Sequence, residues 1–182
     1  MTAPDTRATI LANAHKFLAA FQAHNGNFVY SEGADRMTFE SWSAPQYPIA
    51  TDCSGFVTMC YLSAGAKDPN GRNYDHEGYT GTLLGHGTHI TVDQLQPGDA
   101  VVYGPGEGEH TALVVQVTHG QHGTDILTVS HGGPTGQSPI YCWVNKPLAH
   151  PGLNYPVDGR QPQTFLRFTT AQIGTVHSIP VA

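Results

Sequence analysis

Charge is scarce in this chain of 182 residues: Asp, Glu, Lys and Arg make up 12% of it, and only eight residues are Lys or Arg. No basic cluster is present to neutralise phosphates, which excludes nucleic acid as the main partner. The formal balance is −6, and eleven histidines can offset it near pH 6. Cysteine is sparse as well. Cys53, Cys60 and Cys142 are too few for a disulfide framework, and an odd count leaves one thiol free. Cys53 and Cys60 fall two helical turns apart on one face, too far to bridge within a helix. Reduced thiols, and synthesis in a cytoplasm, are therefore expected. No apolar run reaches membrane-spanning length, so no membrane insertion is expected, and Met1-Thr2-Ala3-Pro4-Asp5 opens no basic-then-apolar leader. Paired histidines occur at His86 and His89 and at His119 and His122, with Asp75-His76-Glu77 adding donors. They sit in expected loops and lack the His-Glu-x-x-His arrangement, so no metal and no cofactor is expected. Ser54 lacks the glycine-flanked elbow of a serine nucleophile.

What is present suits one domain: hydrophobic residues make up 39%, enough for a core at this length. We expect the domain to span residues 1–168, with 169–182 a tail or truncated linker. Asp5 or Thr6 can cap a first helix reaching about His24, with Ile10, Leu11, Ala14, Phe17, Leu18 and Phe21 at helical period. A second helix runs from Cys53 towards Gly65. Residues 65–90 read as a long loop with room for one short helix. Ala100–Tyr103, Thr111–Val117, Ile126–Ser130, Pro139–Val144 and Phe165–Phe168 read as strands, and Pro147–Pro162 as a loop. Helices first and neighbouring strands after them predict an α+β fold with an antiparallel sheet.

Asp52-Cys53-Ser54-Gly55-Phe56 carries the chemistry. The preceding Tyr47-Pro48 opposes helix, and Asp52 is a good N-cap, so Cys53 falls in the first helical turn. Unpaired N–H groups and the positive end of the helix dipole favour a thiolate there. A small buried cysteine beginning a core helix is the competing reading. A nucleophilic thiol needs a base, and the base needs an orienting partner. His110 opens a strong strand after a glycine-rich turn and is the base candidate. A hairpin of the two following strands would carry His131 towards His110 and let it hold the ring. Asp125, on the opposite side of that hairpin, is the alternative third residue. Tyr30 and its polar neighbours suggest a substrate subsite, and Arg36 is either a surface residue or a partner for a substrate carboxylate.

The segments Asp52-Cys53-Ser54-Gly55-Phe56, Leu95-Gln96-Pro97-Gly98-Asp99-Ala100-Val101-Val102-Tyr103 and His110-Thr111-Ala112-Leu113-Val114-Val115 together resemble the NlpC/P60 family of papain-like cysteine peptidases. Order and spacing are similar over roughly residues 8–145. The text around Tyr30, Asp68-Pro69-Asn70-Gly71, Gly78–Thr82 and Ser130-His131-Gly132-Gly133 is most similar to catalytic domains of endolysins from phages of actinobacteria. The resemblance implies cleavage of amide bonds in peptidoglycan stem peptides, with Cys53 as nucleophile, His110 as base and His131 as third residue. It places Tyr30, Asp52 and Ser54 at the substrate. Thr111-Ala112 departs from the small residue, often Gly, that follows the family's base. A monomer made in a host cytoplasm and acting on the wall after release, or as a virion component, is the expected setting. An amidase cutting between sugar and peptide, another papain-like acyl enzyme and a non-catalytic wall-binding module are the alternatives.

Overall fold

The computed structural model describes residues 5–37, 46–121, 123–133, 136–144, 154–155 and 163–171. Helix α1 (Thr6–Ala23) starts where Asp5 accepts the Arg7 N–H at 3.0 Å. Its buried stripe of Ile10, Ala14, Phe17 and Leu18 follows the helical period and faces the core. One 3-10 turn at Asn25–Asn27 ends it and leads into strand β1 (Phe28–Tyr30). Strand β2 (Ile49–Thr51) lies parallel to β1, with Phe28 opposite Ile49 and Tyr30 opposite Thr51. This pair was not expected from the sequence; three residues per strand are too few to show a period. β2 runs directly into helix α2 (Cys53–Leu62), where every residue from Cys53 to Tyr61 is buried. A helix apolar on all sides belongs at the centre of a fold. The chain leaves α2 through Gly65, whose φ of 66° suits glycine.

The expected short helix within residues 65–90 is α3 (Thr80–His86). A seven-stranded sheet then follows: β3 (Thr88–Ile90), β4 (Ala100–Tyr103), β5 (His110–Gly120), β6 (Gly123–Gly133), β7 (Gly136–Val144), β8 (Asn154–Tyr155) and β9 (Gln163–Arg167). Their order is β3-β9-β4-β5-β6-β7-β8, antiparallel throughout except for β7 with β8. The architecture is therefore α+β, as its helix-then-strand order predicts. Within Pro147–Pro162, Asn154–Tyr155 pairs with β7, and the rest of that expected loop lies outside the described residues. One sheet face packs Leu113, Val129 and Leu166 against Phe17, Phe56 and Val57 of the helices. The other carries Val101, Tyr103, Ala112, Val114 and Cys142. Phe168 is buried edge-on to Tyr61, and the Ala171 carbonyl accepts the Lys67 N–H at 3.1 Å; residues 172–182 of the expected tail lie outside the described residues.

Asp99, fully buried before β4, joins distant parts of the chain. It accepts from Arg7 at 3.0 Å, from Arg167 at 2.7 and 3.0 Å and from the Gln96 N–H at 2.8 Å. Removing the carboxylate leaves two guanidinium groups facing each other at a shielded site. Asp99→Ala should lower stability by about 3 kcal/mol in urea unfolding; a change below about 1 kcal/mol would show that the network adds little.

Candidate active site

Cys53 is the first residue of α2 and only 5% exposed. Three donors converge on its sulfur: the Thr111 and Ser54 backbone N–H groups and the Tyr30 hydroxyl. The β1–β2 pair explains the last of these, because Tyr30 lies beside Thr51, two residues before the cysteine. The helix start itself is tightly specified. Asp52 accepts the Gly55 N–H at 2.6 Å and the Ser54 hydroxyl at 2.8 Å on one oxygen, and Arg36 Nε at 3.0 Å on the other. A Cβ on Gly55 would stand 2.1 Å from Thr51 Oγ1 and 2.6 Å from the Arg36 carbonyl oxygen, so glycine is required there.

These contacts show where several of the expected site residues lie. Asp52 and Ser54, expected at the substrate, are buried and spend their polar atoms on capping α2. Arg36, expected at the surface or on a substrate carboxylate, instead ties Asp52 to the Gly78 carbonyl, which accepts at 2.5 Å. The Asp68–Gly71 segment is a structural knot: Asp68 accepts the Asn70, Arg72 and Tyr74 N–H groups, and Asn70 donates to Thr58 of α2. The thiol also departs from expectation. Burial, reinforced by the Asp52 charge, outweighs the three donors and pushes Cys53 up to about 12. At rest the group is a thiol, and attack requires a base.

His110 opens β5 opposite Tyr103 of β4, with the two rings stacked at 5.9 Å and 27°. Its Nε2 stands 3.2 Å from Ser130 Oγ, and the Ser130 hydroxyl donates to the Gly132 carbonyl at 2.6 Å. A hydroxyl has one hydrogen, so Ser130 must accept from His110 Nε2–H. A neutral ring that donates from Nε2 carries its lone pair on Nδ1. Thr111, the next residue, donates its backbone N–H to Cys53, so the start of β5 meets the start of α2.

His131 does not meet His110 in the expected way. Between Val114 (opposite Thr128) and Gln116 (opposite Leu127), β5 holds one extra residue, Val115. An unbulged hairpin would place His131 on the face of His110; the bulge places Ser130 there and turns His131 to the other side. His131 is 1% exposed, edge-on to Tyr30 at 5.2 Å and Phe28 at 5.7 Å, and its ring hydrogen-bonds the Thr51 carbonyl. Asp125, the alternative, sits opposite Thr118 towards the far end of the hairpin. Ser130 escaped the sequence reading because a serine beside a histidine carries no signal of its own.

Burial lowers His131 from 6.5 to about 4, against the hydrogen bond to Thr51. Below pH 6.5 the unfolded chain takes up a proton that the folded chain refuses, so stability falls as pH drops. The loss begins near 6.5 and is complete below about 4, where it reaches about 3 kcal/mol. Urea unfolding across that range should show this loss in the wild type and its absence in His131→Phe; parallel curves would contradict it.

Among the described residues no three His, Cys, Asp or Glu side chains converge. His89 bonds the Leu84 carbonyl, His76 the Met37 carbonyl and Asp75 pairs with Arg72, while His122 lies outside the described residues. No described helix is long and apolar enough to cross a membrane.

A cysteine at the start of a buried helix, with a histidine at the mouth of the antiparallel sheet packed on it, is the arrangement of papain-like cysteine enzymes. Residues 29–133, more than half of the chain, match the NlpC/P60 family, and the chain belongs to that family. The peptidoglycan endopeptidase RipB of Mycobacterium tuberculosis is 26% identical over 95 residues, covering 50% of this chain and 36% of the relative. The chain thus spans about a third of that relative's length. Among solved structures, the peptidoglycan hydrolase RipB of M. tuberculosis aligns with a TM-score of 0.44 and 18% identity over 92% of this chain and 72% of that one. The P60 domain of a Mycobacterium avium subspecies paratuberculosis antigen aligns at 0.41 and 18%, over 86% and 96%. An NlpC/P60 family protein of Bacillus cereus aligns at 0.37 and 21%, over 67% and 37%.

Proposed function

We propose that this chain is a cysteine endopeptidase that cleaves an amide bond in the stem peptide of bacterial peptidoglycan through an acyl-enzyme on Cys53. The observation that carries this reading is the convergence of three donors on a buried thiol, one of them the backbone of Thr111, the neighbour of a histidine whose Nε2–H is engaged by Ser130. His110 Nδ1 takes the thiol proton as Cys53 Sγ attacks the scissile carbonyl carbon. The Cys53 N–H at the helix start and the Tyr30 hydroxyl stabilise the oxyanion. Burial raises Tyr30 well above the ordinary phenol range, so its hydroxyl keeps the proton that it donates. As the C–N bond breaks, His110 returns the proton to the leaving amine. Water then attacks the thioester with His110 as base and frees the thiol.

Ser130 orients His110 in this scheme without touching substrate. Ser130→Ala should lower kcat about 10- to 100-fold with KM little changed, whereas Ser130→Thr, which keeps the hydroxyl, should recover most of the rate. An unaltered kcat in Ser130→Ala would remove Ser130 from the mechanism.

The lytic, endolysin-type setting rests on the resemblance of Gly78–Thr82 and Ser130–Gly133, and it makes host release or virion carriage the route to the wall. Purified actinobacterial walls should lose turbidity and gain free amino groups on addition of the protein. Wall binding without new amines would favour a binding module instead.

A further inference from the structure

We propose that His131 is a positioning residue for Tyr30 and takes no part in proton transfer at His110. The inference rests on the Cys53 acyl-enzyme reading and adds to it a second support for the donor side of the site. Among the described residues His131 Nδ1 is buried with no partner, which leaves the ring bonded at its other nitrogen and gives it no proton path to His110 there. The Thr51 carbonyl, which the ring contacts, also accepts the Ser31 N–H at 3.0 Å. Thr51 lies opposite Tyr30 across β1 and β2, so this carbonyl joins the end of β6 to the backbone immediately after Tyr30.

Packing completes the seat. The His131 ring meets the Tyr30 ring edge-on at 67° and the Phe28 ring edge-on at 79°. Gly132 has a φ of 82°, and a Cβ there would stand 2.9 Å from Tyr30 Cε2. The phenol therefore lies directly over the backbone that follows His131. Consecutive residues of a strand point to opposite faces. Ser130 thus serves His110, His131 serves Tyr30, and one strand end sets both halves of the constellation in register.

A double-mutant cycle with Tyr30→Phe tests the assignment, with kcat and KM read on purified peptidoglycan and folding checked by thermal unfolding. His131→Phe keeps a ring but loses the bond to Thr51, and His131→Gln keeps a donor but loses the ring. Each should lower kcat about 10-fold without moving the acid limb of the pH–rate profile. In the Tyr30→Phe background each should cost less than about 2-fold, because residues acting through one another are not additive. A full 10-fold loss in that background, or a displaced acid limb, would overturn the proposal. A second arm uses the wild type alone. Alkylating Cys53 with iodoacetamide should shift the NMR signals of Tyr30 and His131 together; a shift at Tyr30 with none at His131 would also overturn it. An inactive wild type would instead remove the acyl-enzyme reading, leaving this second arm to judge the contact itself.

Discussion

Replacing Cys53 by Ala should lower peptidoglycan turnover by more than about 10⁴-fold while leaving a folded protein. The expectation follows from position. Cys53 contributes one sulfur to a corner where Thr111, Ser54 and Tyr30 all direct hydrogens, and no other thiol is near enough to replace it. Cys60 is buried deeper in α2, and Cys142 lies on the far face of the sheet. Losing the sulfur atom leaves only a small cavity at the rim of the core, worth about 1 kcal/mol. Cys53→Ser should be equally inactive, since its hydroxyl is harder to ionise and less nucleophilic. Wall digestion at the wild-type rate by either variant would mean that the cysteine is structural.

His110→Ala should be almost as damaging, with an expected loss of about 10³- to 10⁴-fold in kcat/KM. Burial sets this magnitude. A thiol that burial pushes well up stays protonated at pH 7, so attack depends on a base. Removing the imidazole also opens space beside Tyr103 and Ser130, and added imidazole should therefore restore part of the rate. If His110→Ala keeps a tenth or more of the activity, the base is another group.

Much of this scaffold was legible in the residues. Asp5 and Asp52 mark both long helices by capping them, and the apolar stripe of α1 has the period of a half-buried helix. Ala100–Tyr103 appears as a strand because a Pro-Gly turn precedes a run of apolar and β-branched residues. The parallel pair of Phe28–Tyr30 with Ile49–Thr51 was not legible, since its partners are short and far apart in sequence. The bulge at Val115 was not legible either, yet it decides which of two adjacent residues faces the base. A period of two names two faces and cannot say which is which once a residue is inserted. The cap at Asp52 was foreseen, but its saturation by Arg36 depends on a contact sixteen residues back in the chain. The direction of the thiol shift was missed for a related reason. A helix terminus is visible in sequence, whereas the depth at which it is buried is a property of the whole fold.

Set in order, the elements divide the work. In the proposed mechanism α2 presents the thiol, β1 brings a hydroxyl to it, β5 supplies the imidazole, and the end of β6 supports Tyr30 and His110 from opposite faces. Mass spectrometry of the soluble products from purified peptidoglycan tests this account most directly. The wild type should release fragments with a new amino group and a new carboxyl group within the stem peptide, leaving the bond between sugar and peptide intact, and Cys53→Ala should release none. Fragments cut between sugar and first amino acid, or identical products from Cys53→Ala, would contradict it.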